Sequence, residues 1–247
     1  MNSLEPRFIH VMETGSTNQL IQMISAGEFL ASGSIVLADF QTAGRGVSGS
    51  SWESEAGKNL TFSVIYYPED VPVNRVFAIS EMVSLSIKCT LDRYISGVTV
   101  KWPNDIYCGD KKITGILIEN KLSPAKVTQS IIGIGINVNQ TTFLSDAPNP
   151  ISMAMVAGNA FNCLNIMNDF RKAFAEQSER LNNLHFDSIH YDYLEATYRK
   201  NGFYPYCDAH GSFEAVIRDI EPSGHLILER TNGIISRYTF KEVSYQL

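Results

Sequence analysis

In the run QSIIGIGINVN, residues 129–139, a series of isoleucines is interrupted at alternate positions by Gly133 and Gly135. Residues i and i+2 of a strand point to one face, so this strand is apolar on one side and bare on the other. Baring a face costs stability, because glycine loses more conformational freedom on folding than any other residue. Two arrangements would explain it: a flat ligand lying against the sheet, or a helix packed tightly there. Asn137 continues the same count and would point an amide at a ligand on that face.

The neighbouring runs place this strand in an α+β chain with a mixed β-sheet flanked by helices. FIHVM near the start reads as a short strand, and the capping residues Thr14 to Thr17 precede the helix-spaced NQLIQMISAGE. SIVLADF (34–40) and NLTFSVIYY (59–67) read as strands, and residues 74–93 as a helix. Short strands VTVKW, DIYC and ITGILIEN follow, and residues 151–199 read as helices. From about Asn201 short β-prone runs (SFEAVIRDI, HLILER, IISRYTF) alternate with turn signals such as Asn232-Gly233. A division into residues 1–199 and a small β-barrel domain over 200–247 is expected. No internal repeat or low-complexity segment occurs.

A length of 247 residues, 44% hydrophobic and 19% charged, allows one large domain plus a small one. The net charge of −6 argues against a nucleic-acid partner. The sequence offers no apolar run long enough to span a membrane and no signal-type start, so a cytoplasmic protein is expected. Cys89, Cys108, Cys163 and Cys207 form no CxxC pair, and the five histidines give no metal motif. No protein-held metal is expected.

Three further clusters carry chemistry. Residues 41–58, QTAGRGVSGSSWESEAGK, read as one long loop. Gly44-Arg45-Gly46-Val47-Ser48-Gly49 within it matches a dinucleotide fingerprint on paper, but it leads into a strand rather than opening a helix. What remains is an amide-rich loop with one guanidinium, suited to gripping an anion; a mobile surface loop is the plainer reading. In Lys101-Trp102-Pro103-Asn104-Asp105 a cation, an aromatic, a rigid turn and a carboxylate follow a β-prone run. Asp105 is the acid/base or metal-facing candidate, unless Asn104 and Asp105 only hold the turn. Lys112 lies beside Gly115, whose place inside a strand hints at a close approach to the backbone. Ser16-Thr17-Asn18 reads as a helix cap whose groups could also bind a polar small molecule. No Ser/His/Asp or Cys/His order for covalent catalysis is evident.

Taken in order, ETGSTNQ, QTAGRGVSGSSWESEAGKNLTFSV, KWPNDIYCGDKKITGILIE and GIGINVN resemble the signature blocks of the biotin protein ligases, from about residue 8 to 139. The resemblance implies a class II synthetase-like fold, the biotin–lipoate ligase fold, with a small C-terminal SH3-like β-barrel. It implies an enzyme that activates biotin with ATP to biotinyl-5′-AMP and pyrophosphate, then transfers biotin to a lysine of a biotin carboxyl-carrier domain. Ser16, Thr17, Asn18 and Gln41 would line the biotin pocket, and Arg45, between Gly44, Gly46 and Val47, would hold the biotin carboxylate and the ATP phosphates. Trp52 would close over the adenine. Lys112 would bond the carboxylate and, with Lys101 and Mg²⁺ carried by the ATP phosphates, offset charge at the α-phosphate. Gly115, Gly133 and Gly135 would let biotin lie on the sheet. Asn104, Asp105 and Asn137 would line the nucleotide side, with Asp105 accepting a proton from the acceptor lysine.

The resemblance departs at Val47, where the family pattern has a second arginine, GRGR, that helps seal the adenylate. The departure implies looser retention of that intermediate. Some family members carry an N-terminal helix-turn-helix and act as repressors. With about seven residues before the first strand, no such module and no operator binding are expected. Family members are monomers or dimers, so a homodimer is a further expectation. A lipoate or octanoyl ligase of the same broad fold is the nearest alternative, and a non-catalytic biotin sensor the next.

Overall fold

A computed structural model of the chain describes residues 5–145 and 149–246. Seven strands, β1 (Phe8–Thr14), β2 (Ser34–Gln41), β3 (Leu60–Tyr66), β4 (Val98–Lys101), β5 (Asp105–Cys108), β6 (Lys111–Leu122) and β7 (Val127–Ile136), form one sheet in the order β1-β2-β3-β7-β6-β5-β4. β1 and β2 run parallel and every other pair antiparallel, which makes the sheet mixed.

The alternation read in QSIIGIGINVN organises the two faces. Ile132, Ile134 and Ile136 of β7 join Phe62, Val64 and Tyr66 of β3 in the main core, under helices α2 (Phe77–Leu91) and α4 (Cys163–Asn182). Phe62 meets Phe170 of α4 edge to face at 4.9 Å, a favoured aromatic geometry. Helix α4 buries Ile166, Met167, Phe170, Phe174 and Leu181 at helical spacing, and its N-cap Asn162 accepts from the Asn165 amide. On the opposite face Ile65 and Ile131 meet Ile21 of α1 (Thr17–Gly27), forming a smaller core at one end of the strands. Beyond that core the same face carries Thr61, Ser63, Gly133 and Gly135, paired across β3 and β7.

After the short helix α3 (Met153–Ala157) and α5 (Phe186–Ala196) come β8 (Tyr204–Asp208), β9 (Gly211–Ile220), β10 (Leu226–Arg230), β11 (Ile235–Tyr238) and β12 (Val243–Tyr245). They form an antiparallel sheet in the order β11-β10-β9-β8-β12. The closed barrel expected from the sequence is not formed. Its edge strands hold four and three residues and do not pair with each other; an isolated bridge, Phe240 to Val243, lies in the turn between them. The Asp208 carboxylate holds this sheet together by accepting from Arg230 Nη2 (2.6 Å) and the Tyr238 hydroxyl (2.9 Å). The sequence did not signal β8, whose Pro205 weakens a strand reading, or the three-residue β12.

The two sheets share one apolar core, which runs from Val98 and Val100 to Tyr206, Ile217 and Leu228. Trp102 Nε1 donates to the Gly224 carbonyl at 2.9 Å, and His190 of α5 sits between Glu81 of α2 (Nδ1, 2.7 Å) and Asp219 of β9 (Nε2, 3.0 Å). No helix among the described residues is long and apolar enough to cross a membrane.

The hydrogen bond to Glu81, opposed by burial and aided by Asp219, holds the His190 pKa above its ordinary 6.5. A proton held more tightly in the folded chain adds stability that is fully present below pH 6.5 and is lost as pH rises through the raised folded value. Glu81→Gln removes the leading cause while keeping the shape. It should flatten the decline of Tm above pH 6.5, measured by thermal melts of both proteins across neutral pH.

Candidate active site

A cavity of about 450 Å³ opens on the glycine-bearing face of the large sheet, lined from four directions. The start of α1 supplies the first. Ser16 is the N-cap, but its hydroxyl makes no cap bond. Instead Gln41 Oε1 accepts from the Thr17 amide (2.8 Å) and the Thr17 hydroxyl (3.1 Å), joining α1 to the end of β2. The Ser63 hydroxyl lies 2.7 Å from Thr17 Oγ1 and 2.6 Å from Asn18 Oδ1. The Asn18 amide nitrogen donates to Glu119 Oε2 at 2.7 Å. Thr17 and Asn18 are buried, and these bonds account for their polarity.

The long loop supplies the second side. The sequence left it without regular structure; it is folded as a narrow turn. Arg45 bridges to Ser51, the Gly46 amide donates to the Ser50 carbonyl, and the Trp52 amide donates to the Gly44 carbonyl. Glu53 fastens its far end, accepting from the Leu144 and Ser145 amides and from Gln140 Nε2. Slight burial pushes the Glu53 carboxyl up, yet those bonds, Ser145 foremost, hold it below the ordinary range. Arg45 reaches Glu119 at 3.2 Å.

Trp52 answers the question raised by the glycines. The bare face is covered neither by a tightly packed helix nor by open space alone. A methyl at Gly135 would overlap the Trp52 indole, one at Gly115 would stand 2.8 Å from its ring, and one at Gly133 would overlap the Asn18 amide. Gly115 and Gly135 are cross-strand neighbours, so together they make a flat bed for the indole. Trp52 Nε1 is buried there with no partner among the described residues, an orphaned donor facing the cavity wall.

The third side is the KWPND turn with β6. Lys112 Nζ pairs with Asp105 Oδ1 at 2.7 Å and stands 5.8 Å from the Trp52 ring centroid. Lys101 Nζ donates to the Tyr107 hydroxyl at 2.9 Å and lies over the Tyr107 and Tyr245 rings. Burial pushes the Lys101 ammonium pKa down, and the nearby Asp105 opposes it. Asn104 does not bond Asp105. Its side-chain amide donates to the Ile116 carbonyl at 2.6 Å and its backbone carbonyl accepts from the Ile116 amide, which fastens the turn to β6.

The second sheet supplies the fourth side with Phe240, Lys241, Val243, Ser244 and Tyr245. None of these carried a local sequence signal; docking of a remote segment puts them there. Glu119 and Ser63 were also missed, although a count of two along β6 from Gly115 and along β3 from Thr61 puts both on the bare face. Of the residues chosen from sequence, Ser16, Thr17, Asn18, Gln41, Arg45, Gly46, Val47, Trp52, Lys101, Asn104, Asp105, Lys112, Gly115, Gly133 and Gly135 line the cavity. Gly44 and Asn137 lie off it. Gly44 supports Trp52, and Asn137, beyond the end of β7, is buried with its amide donating to the Ile151 carbonyl at 3.2 Å. The Asn137 backbone amide still donates to the Ile113 carbonyl, one step past the end of β7, and its Oδ1 is buried with no partner among the described residues.

The arrangement is a glycine bed capped by the Trp52 indole, a neutral hydrogen-bonding corner, and three cations with two carboxylates beside them. It can seat a compact polar ring beside a carboxylate and offset the charge of phosphates.

Residues 13–137 match the model of the Biotin/lipoate A/B protein ligase family. The chain is 38% identical over 109 residues to the bifunctional ligase/repressor BirA of Bacillus subtilis, covering 44% of this chain and 33% of the relative. It is 28% identical over 236 residues to the biotin--[acetyl-CoA-carboxylase] ligase of Paracoccus denitrificans, covering 89% of this chain and 93% of that protein. It thus spans a third of the length of the first curated relatives it matches and nearly all of the second. Among solved structures it is similar to a biotin protein ligase from Aquifex aeolicus in complex with biotin and ATP, with TM-score 0.77, 22% identity, and coverage of 97% of this chain and 98% of that one. That likeness is one of fold.

Gly135→Ala should expel the Trp52 indole from its bed, because the strand backbone cannot yield to the added methyl. The expected result is a red shift in tryptophan emission and faster proteolysis within residues 42–52 than in the parent. Unchanged emission and cleavage would contradict the placement of Trp52.

Proposed function

This chain belongs to the Biotin/lipoate A/B protein ligase family, and on that premise we propose that it is a biotin protein ligase. In this reading biotin and ATP react to biotinyl-5′-AMP and pyrophosphate, and the biotinyl group then passes to the ε-amine of a lysine on a biotin carboxyl-carrier domain. The observation that carries it is the cavity that joins the Gly115–Gly135 bed to Arg45, Lys101 and Lys112.

A carboxylate is a poor electrophile and needs a leaving group. In the first step a biotin carboxylate oxygen attacks the α-phosphorus, and the bond to pyrophosphate breaks. Crowded negative charge is what Arg45, Lys101 and Lys112 would offset. Thr17, Asn18, Gln41 and Ser63 offer donors and acceptors for the polar ring at the far end of biotin. Among the described residues no cluster of three or more His, Cys, Asp or Glu side chains could hold a metal ion. Mg²⁺ would enter bound to the nucleotide phosphates, as part of the substrate.

In the second step a neutral lysine amine attacks the acyl carbon and AMP leaves. Asp105 is the carboxylate at hand to take the amine proton, once Lys112 turns from it to the substrate. The mixed anhydride hydrolyses in water, so the loop bearing Arg45 and Trp52 would serve as its cover. We also retain the division into residues 1–199 and 200–247, a homodimer as a possible assembly, and the cytoplasm as compartment. The four free thiols suit that compartment, and the net charge of −6 leaves little role for nucleic acid.

The test is mass spectrometry of a biotin carboxyl-carrier domain incubated with biotin, Mg-ATP and this protein. The expected gain is one biotin per domain. Lys112→Ala should slow it by about 10²-fold or more, the scale on which loss of one preorganised charge partner is felt. Gain of lipoate or octanoate in place of biotin would overturn the substrate assignment, and no gain would overturn the reading. At the loop, Val47→Arg should slow release of biotinyl-AMP into solution, followed by capture of the released adenylate; equal release would remove the role given to position 47.

A further inference from the structure

Glu119 has no part in the chemistry set out so far, yet it bonds two residues that line the cavity, Asn18 and Arg45. Counting by twos from Gly115 along β6 puts Leu117 and Glu119 on the glycine face, and the pairing of Glu119 with Ile131 agrees. Glu119 Oε2 accepts from Asn18 Nδ2 at 2.7 Å, and the carboxylate faces Arg45 Nη2 at 3.2 Å and 3.4 Å. One anion thus serves the neutral corner built on Thr17, Asn18, Gln41 and Ser63 and also the guanidinium of the loop.

Each bond has a distinct consequence. The Asn18 side chain can be turned two ways about its amide. Glu119 accepts only, so it draws the NH₂ and leaves Oδ1 toward Ser63, where the hydroxyl can donate. Arg45 presents a planar fork that suits a carboxylate or a phosphate equally. With Glu119 on the Nη2 arm of that fork, an incoming anion can take both arms only by exchanging with it. An uncharged ligand offers nothing to exchange. Both side chains are about two-fifths exposed, 40% for Arg45 and 43% for Glu119, so the pair is weak enough to be broken by a ligand.

Building on the ligase reading, we propose that Glu119 is a positioning residue that holds Arg45 against β6 until a substrate carboxylate or phosphate displaces it. In its second role it sets the Asn18 amide for the polar ring. The cavity would then distinguish an acid from its ester through a contact that already exists inside the protein. Glu119 would also repel an anion through space, but that effect does not pass through Arg45.

The experiment titrates inorganic pyrophosphate into the full chain by calorimetry, a probe whose binding does not require that biotin be the substrate. Glu119→Gln keeps an acceptor for Asn18 and removes the charge. It should tighten pyrophosphate binding about two- to fivefold at low salt, the scale of a half-exposed ion pair, and the difference should fade as salt screens it. In an Arg45→Ala background the same substitution should give a clearly smaller gain, the part due to repulsion through space alone. Equal affinity of parent and Glu119→Gln, no measurable binding by either, or an equal gain without Arg45 would each overturn the proposal. Biotin methyl ester supplies the uncharged arm. Glu119→Gln should bind it as the parent does, and Glu119→Ala, which leaves the Asn18 amide unpartnered, should bind it more weakly. If the parent ignores both biotin and its ester, the ligase reading fails, while the pyrophosphate titration still decides for or against the Glu119–Arg45 exchange.

Discussion

Strands β3 and β7 have two chemically opposite faces, and the rest of the molecule is arranged around that opposition. On one side Leu60, Phe62, Val64 and three isoleucines of β7 demand cover, which α2 and α4 provide. On the other side Thr61, Ser63, Gly133 and Gly135 offer little apolar surface, so a helix gains little by packing there. Helix α1 packs apolar side chains on that face only where Ile65 and Ile131 return it to apolar character; at Ser63 and Gly133 it presents the polar Thr17 and Asn18. The cavity occupies the remainder. A site placed in this way rests on a strand pair anchored by the main core, which gives it a rigid floor.

Over that floor the walls are held by charges that cancel locally. Lys112 pairs with Asp105, Arg45 with Glu119, and Lys101 is sheltered by two tyrosine rings and a phenolic oxygen. Such pairing spares the protein the cost of several like charges close together. It also means that each cation is already in place when a phosphate or carboxylate arrives, and reorganisation is limited to exchange of partners.

The sequence made the large sheet and its flanking helices legible because their patterns are strong: the GIGI alternation, the helical run within 151–199 and the long Gly/Ser segment between β2 and β3 all survive in the structure. It made most of the cavity lining legible for a different reason, the ordered motif blocks. Asn137 stands off the cavity because its side-chain amide is spent on the Ile151 carbonyl, a partner fourteen residues on that no local pattern announces. Glu119 was open to discovery by that same alternation but sits in a run that otherwise reads as an exposed strand end. Tyr245 was beyond reach, since nothing local tells a three-residue strand near the C-terminus that it will meet Lys101. The barrel was over-read from turn spacing alone; closure needs edge strands long enough to pair, and β11 and β12 are not.

The hydrogen bond from the Trp102 indole to the Gly224 carbonyl gives the KWPND turn a second attachment. Its backbone continues β4 of the large sheet, while its aromatic ring leans on the small one, with Phe240 against it. Lys101 and Asp105 bracket that ring and are cross-strand partners in the large sheet, so the small sheet adds a second hold on a turn that the large sheet already closes. A shift in how the small sheet leans on its neighbour therefore reaches Lys101 and Asp105 as a tilt of the turn, with the tryptophan as the lever.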